Sequence, residues 1–166
     1  MKKWITIIII FLMVVFAAGC VSEPKTKTYN ANGVSFKYPE DWNIDYNEIK
    51  QLNSSSLLVN LKSRDNNSGV TVTKEKLNTT INEYANNFYQ TYSENYDILI
   101  ISNKTRLING INALEINRRF SNTQESFYYS TKLIKRDNYI YSIEIQCSEY
   151  DKRPVDIILN SFKFTN

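Results

Sequence analysis

The sequence predicts an α+β domain, an antiparallel β-sheet with helices packed on its faces. Three observations carry that expectation. Most of the chain after its first thirty or so residues alternates apolar and polar side chains with the period of a half-buried strand. These stretches follow one another in runs joined by Asn, Asp and Gly, as antiparallel hairpins require. Only two segments switch to helical spacing, one in the middle of the chain and one at its end.

Taken in order, Val34, Phe36 and Tyr38 share the buried face of a first strand, with Gly33 turning the chain before it and Pro39 ending the pairing. "LLVNLK" (57 to 62) and "VTVTK" (70 to 74) are two further strands. The loop between them, "SRDNNSG", is rich in residues that tolerate positive φ. Thr80 and Glu83 then form an S/T-x-x-E capping box, which starts a helix. Ile81, Tyr84, Ala85, Phe88 and Tyr92 follow at helical spacing and make the face that packs on the sheet.

Strand character returns in "YDILIIS" (96 to 102) and "TRLI" (105 to 108). Asn109-Gly110 is the strongest short hairpin signal in the chain. Beyond it, Leu114, Ile116 and Phe120 fall on one face of the returning strand, and Glu115, Asn117 and Arg119 on the other. A last hairpin joins residues 126 to 135 and 139 to 148 through Asp137-Asn138. Tyr141, Ile143, Ile145 and Cys147 share one phase of its second strand, so Cys147 reads as a small buried hydrophobe. The closing helix has Pro154 in its first turn and a stripe of Val155, Ile158, Leu159 and Phe162.

The start of the chain obeys different rules. Lys2 and Lys3 precede "WITIIIIFLMVVFAA", an apolar run too short for the ~20 residues of a bilayer-spanning helix. A basic start, a short apolar middle and small residues before a cut site describe a secretory signal peptide over residues 1–19. A retained anchor is the alternative. Ala17-Ala18-Gly19-Cys20 resembles the lipobox of prokaryotic lipoproteins, departing from its commonest form at Ala17, where Leu is usual. The resemblance implies that the Cys20 thiol carries a diacylglyceryl group with fatty-acyl chains such as palmitate, and that the chain is cut before it. Two chains anchor a protein stably where one does so only marginally. Residues 20–28 would be the lipidated cysteine and its tether, and residues 29–166 the domain. The expected location is the extracytoplasmic face of the cell membrane.

Several function classes fall away on composition. Without Lys2 and Lys3 the chain holds 18 basic residues against 17 acidic ones, so it has no electrostatic footprint for nucleic acid. There is no histidine, which removes Ser-His and Cys-His catalysis and most transition-metal sites. Only Gly33, Gly69 and Gly110 follow the signal, too few for a phosphate-cradling loop. No cofactor is expected. With Cys20 used for lipid, Cys147 has no disulfide partner.

Three stretches together resemble the PsbP-like domain family. They are Asn32 to Trp42 ("NGVSFKYPEDW"), Ile108 to Ala113 ("INGINA") and Ile158 to Phe164 ("ILNSFKF"). The resemblance implies an α/β/α sandwich around an antiparallel sheet. It also implies a binding, assembly or stabilising subunit, not an enzyme. The metal retention attributed to plant members through His and acidic residues does not carry over to a chain without histidine.

The remaining candidates are weaker. Glu40, Asp41, Asp45 and Glu48 lie close in sequence and are the best set for a hard cation such as Ca²⁺ or for carboxylate catalysis, with a solvated turn as the simpler account. Asp65-Asn66-Asn67-Ser68-Gly69 reads as a turn, because it lacks the downstream glutamate of a Ca²⁺ loop. Tyr128, Tyr129, Tyr139 and Tyr141 concentrate part of the 12 tyrosines, as a partner-binding patch or simply as strand formers. Asn53, Asn66, Asn78 and Asn103 open glycosylation triplets near turns. The expected function is a lipid-anchored, non-enzymatic binding or assembly module with a protein partner at the membrane. The alternatives are a small-ligand or Ca²⁺-binding lipoprotein and a carboxylate-dependent hydrolase.

Overall fold

A computed structural model describes residues 24–45, 56–93, 98–121 and 126–165. Cys20, the export segment, Glu48 and Asn53 lie outside the described residues.

The chain opens with β1 (Thr26–Ala31) and β2 (Val34–Pro39), paired antiparallel from Thr26↔Pro39 to Ala31↔Val34. Asn32 and Gly33 close this two-residue hairpin at φ 54° and 79°, the left-handed pair that matches the twist of the strands. β1 begins inside the segment expected to be tether. Its only half-buried side chain is Tyr29, so the strand rests on main-chain pairing and leaves no apolar alternation to read. β2 is legible because Val34, Phe36 and Tyr38 are all buried.

β3 (Asn43–Ile44), β4 (Leu57–Lys62) and β5 (Gly69–Lys76) follow, then helix α1 (Ile81–Ser93). The capping box forms as expected. The Thr80 N–H donates to Glu83 Oε2 at 2.9 Å and the Glu83 N–H to Thr80 Oγ1 at 3.2 Å. β6 (Ile98–Ile108), β7 (Ile111–Ser121), β8 (Ser126–Arg136) and β9 (Tyr139–Ser148) are consecutive antiparallel partners. The two segments expected at 96–102 and 105–108 are one strand, irregular between Ile100 and Ser102. It is a sheet edge with residues 103–107 exposed, and an edge strand needs no apolar face to pair. Helix α2 (Arg153–Ser161) and β10 (Lys163–Phe164) end the described chain.

The expected single sheet is two. A three-stranded sheet runs β1-β2-β10, and a seven-stranded one runs β3-β4-β5-β9-β8-β7-β6. The fold is mostly antiparallel sheet with two short helices. The larger apolar cluster joins Val34, Phe36 and Phe162 to Val70, Ile134, Ile143, Ile145 and Cys147, with Val155 and Ile158 of α2 among them. The smaller joins Ala85 of α1 to Ile116, Leu133 and Ile140. Each fully buried Ile, Leu or Phe contributes ~1.5–3 kcal/mol, so the larger cluster dominates the fold. α2 is stitched to β2 where the Lys37 N–H donates to Ser161 Oγ at 2.8 Å.

Candidate functional site

The face of β7 that carries Glu115 and Asn117 is covered. Glu115 is 3 % exposed and Asn117 7 %. The register sets Glu115 directly opposite Lys132 on β8 and opposite Lys104 on β6. Lys132 itself is 1 % exposed. Helix α2 lies along this side of the sheet, and between them opens a cavity of about 310 Å³.

Its floor is a closed ring of hydrogen bonds. The Lys132 ammonium donates to Glu115 Oε2 at 3.1 Å and to Ser130 Oγ at 2.7 Å. The Ser130 hydroxyl donates to Asn117 Oδ1 at 2.9 Å, and the Asn117 amide returns to Glu115 Oε1 at 2.5 Å. Outside the ring, Asn117 also donates to Ser102 Oγ at 2.9 Å. Arg106 reaches Glu115 Oε2 at 3.3 Å from the rim. Such a network is tolerated in the interior because each buried charge faces its counter-ion.

The electrostatics follow from the burial. Removal from water pushes the Lys132 ammonium down to about 8, and the Glu115 charge beside it offsets only part of that. Burial works against the Glu115 charge as well, but Asn117, Lys132 and Arg106 outweigh it and hold the carboxyl below its usual value. At neutral pH the site therefore contains an ion pair. Tyr128 and Lys152 form one wall, the Lys152 ammonium lying 4.1 Å from the centre of the Tyr128 ring. Burial raises the Tyr128 hydroxyl, which stays protonated.

The opposite face of β7 and β8 holds a second buried cation. Arg118 is 2 % exposed, pairs with Glu144, and donates to Thr131 Oγ1 at 3.1 Å. Its guanidinium lies 4.8 Å from the Phe88 ring and 5.3 Å from Tyr129. This arrangement pins α1 to the sheet.

The residues singled out from sequence are dispersed. Glu40 and Asp41 are exposed at a broad groove of about 840 Å³, where Lys25, Lys27, Arg64 and Arg153 balance them. Asp45 pairs with Lys62 at 3.2 Å. Among the described residues no group of three or more acidic, Cys or His side chains is placed to hold a metal ion. The 65–69 segment is a self-contained turn. Asp65 Oδ1 accepts from Ser63 Oγ at 2.5 Å and from the Asn67 N–H at 3.1 Å, and those bonds hold its carboxyl below the usual value. Tyr128 packs against the larger cluster, Tyr141 is buried and Tyr139 is 39 % exposed, so the tyrosines do not form one patch. Asn66, Asn78 and Asn103 are exposed. Cys147 is a buried free thiol raised by burial to about 11, as its phase implied. The ring of Lys132, Glu115, Ser130 and Asn117 was missed. Its visible signal was a lysine in phase with Ile134, opposite a glutamate on the neighbouring strand.

The sequence model of the family described as PsbP-like protein matches residues 20–164. The chain belongs to the PsbP-like family. No curated protein matches its sequence. The solution structure of cyanobacterial PsbP (CyanoP) from Synechocystis is similar in fold, with a TM-score of 0.63 at 15 % identity, over 89 % of this chain and 96 % of that one. LpqN of Mycobacterium tuberculosis, described as involved in cell envelope biogenesis, gives 0.55 at 10 % identity, over 86 % and 91 % of the two chains. A Bacteroides thetaiotaomicron structure gives 0.54 at 12 % identity, over 87 % of this chain but only 49 % of its own. At these identities the likeness is one of fold. Among the described residues of this PsbP-like chain, no helix is long and apolar enough to cross a membrane.

Proposed function

We propose that this PsbP-like domain is a lipid-anchored module on the extracytoplasmic face of the membrane, which binds or stabilises a membrane-associated protein partner without turning over a substrate. The observation that carries the non-enzymatic part is the bonding of Glu115. Its two oxygens accept from Asn117, Lys132 and Arg106, so it is a poor base. The ring is built to hold the Glu115 charge in place. Family membership supports the binding role, and the lipobox-like Cys20, at the first residue of the family match, supports the anchor. On this reading the fold is the family's α/β/α sandwich, with α1 and α2 serving its two separate apolar clusters.

Fractionation of cells expressing the wild type and Cys20→Ser tests the anchor. The wild type should sediment with membranes and the variant should move to the soluble fraction; a variant that stays with the membrane shows that attachment does not need lipid on Cys20. The small-ligand alternative is favoured by one observation, the charged cavity under α2. The Ca²⁺ and carboxylate-hydrolase alternatives are weaker, because Glu40, Asp41 and Asp45 are spread over an open groove and an ion pair.

A further inference from the structure

We propose that the cavity between α2 and strands β6, β7 and β8 binds a small carboxylate- or phosphate-bearing molecule, whose anionic group sits on the Lys132 ammonium and is met by Arg106 and Lys152. This deepens the small-ligand reading and is independent of the anchor, so its failure leaves the Cys20 result untouched.

The charge inventory selects the sign of the ligand. Three cations line the cavity, Arg106, Lys132 and Lys152, against two carboxylates, Glu115 and Asp156. Glu115 has both oxygens occupied by donors within the protein. Lys132 has three N–H donors, and two of them are used, on Glu115 and Ser130. An entering cation would meet positive charge and a saturated carboxylate. An entering anion finds a remaining N–H on a fully buried ammonium and two further cations at the exposed rim.

Size and walls restrict the class further. About 310 Å³ is at the lower end of small-molecule sites, which suits a metabolite-sized ligand and not a peptide. Ile108, Val155 and Leu159 supply apolar wall for a short carbon frame, and Tyr128 lines it beside them.

Binding would also take up protons. Lys132 faces Glu115 from β7, Lys104 and Arg106 from β6, Tyr128 from its own strand, Lys152 from the residue before α2, and Asp156 from α2. Burial lowers the Lys132 ammonium to about 8, and a bound anion favours its charged form, so binding near that pH takes up protons.

The test is calorimetric titration of the full-length protein in non-ionic detergent with succinate, inorganic phosphate and glycerol, repeated at pH 8 in buffers of different ionisation enthalpy. Saturable one-site binding of succinate or phosphate, none of glycerol, and proton uptake at pH 8 are expected; whichever anion binds tighter names the source of the charge. Lys152→Ala and Arg106→Gln should each weaken binding by about tenfold, the loss of one charge contact. The paired variant Glu115→Leu with Lys132→Met, which removes both buried charges together and keeps the floor packed, should bind neither anion while retaining its circular dichroism spectrum. The proposal is overturned if no anion binds the wild type saturably, or if the paired variant binds as well as the wild type.

Discussion

Lys132 occupies a place in β8 that its neighbours in phase would assign to an apolar side chain. It is tolerated because Glu115 faces it directly and Ser130 and Asn117 complete the ring. Lys132→Met alone leaves the buried Glu115 charge with the Asn117 amide and Arg106 at the rim, and without its buried counter-ion. It should lower unfolding free energy by about 3–5 kcal/mol, whereas the pair with Glu115→Leu should be close to neutral or stabilising. Urea unfolding of both variants checks this; equal losses would show that the ion pair is not coupled. Cys147 supports a second prediction at this scale. In Cys20→Ser it is the sole thiol, fully buried and raised to about 11. A thiol reagent at pH 8 should therefore modify it only at the unfolding rate, and rapid labelling would contradict its core position. Cys147 was legible from its phase alone, since one strand's alternation fixes which side it faces. Glu115 was not. Its burial depends on α2 docking from more than thirty residues away, and no local pattern records that.

Turns and caps do more than their sequence signals suggest. Asn109 and Gly110 take φ 48° and 82° and close β6 to β7 with Ile108↔Ile111 in register, as the dipeptide predicts. The same Asn109 amide also donates to the Phe162 carbonyl at 2.6 Å and lies 3.4 Å from those of Leu159 and Asn160, so the hairpin caps the end of α2. Asn109→Gly keeps the turn and loses only the cap. It should cost about 1 kcal/mol, and hydrogen exchange should quicken in α2 rather than in the hairpin. Gly110→Ala meets nothing within 4 Å, so only its left-handed backbone resists the change, at roughly 1 kcal/mol. Gly69→Ala is different, because its Cβ would lie 2.8 Å from the Leu61 carbonyl oxygen. It should loosen β4 from β5 and cost about 1–3 kcal/mol in the same assay. At α1 the capping box was readable because both partners lie within one turn. The cap on α2 comes from fifty residues earlier and was not.

For the whole molecule, the antiparallel order and both helices followed from alternation, hairpin residues and apolar stripes. The division into two sheets did not. It depends on β10, two residues long, choosing β2 at Lys163↔Ser35 over the larger sheet, and on a first strand without apolar content. Electrostatics also act at this scale. Asp65, Glu83, Glu115 and Asp151 all have carboxyls held below their ordinary values of 3.8 for Asp and 4.5 for Glu. Their stabilisation is complete above those ordinary values and is lost as pH falls through the lower folded ones. Denaturant midpoints should therefore hold steady from pH 7 to about pH 5 and fall below pH 4; a midpoint that rises on acidification would contradict the assigned directions.

The central claim is that this PsbP-like domain works from a lipid anchor on Cys20. Intact-mass spectrometry of the protein extracted from its native membrane measures that claim most directly. The account predicts a chain that begins at Cys20 and carries the added mass of diacylglyceryl on its thiol. A chain that still begins at Met1, or a Cys20 without lipid, would contradict it.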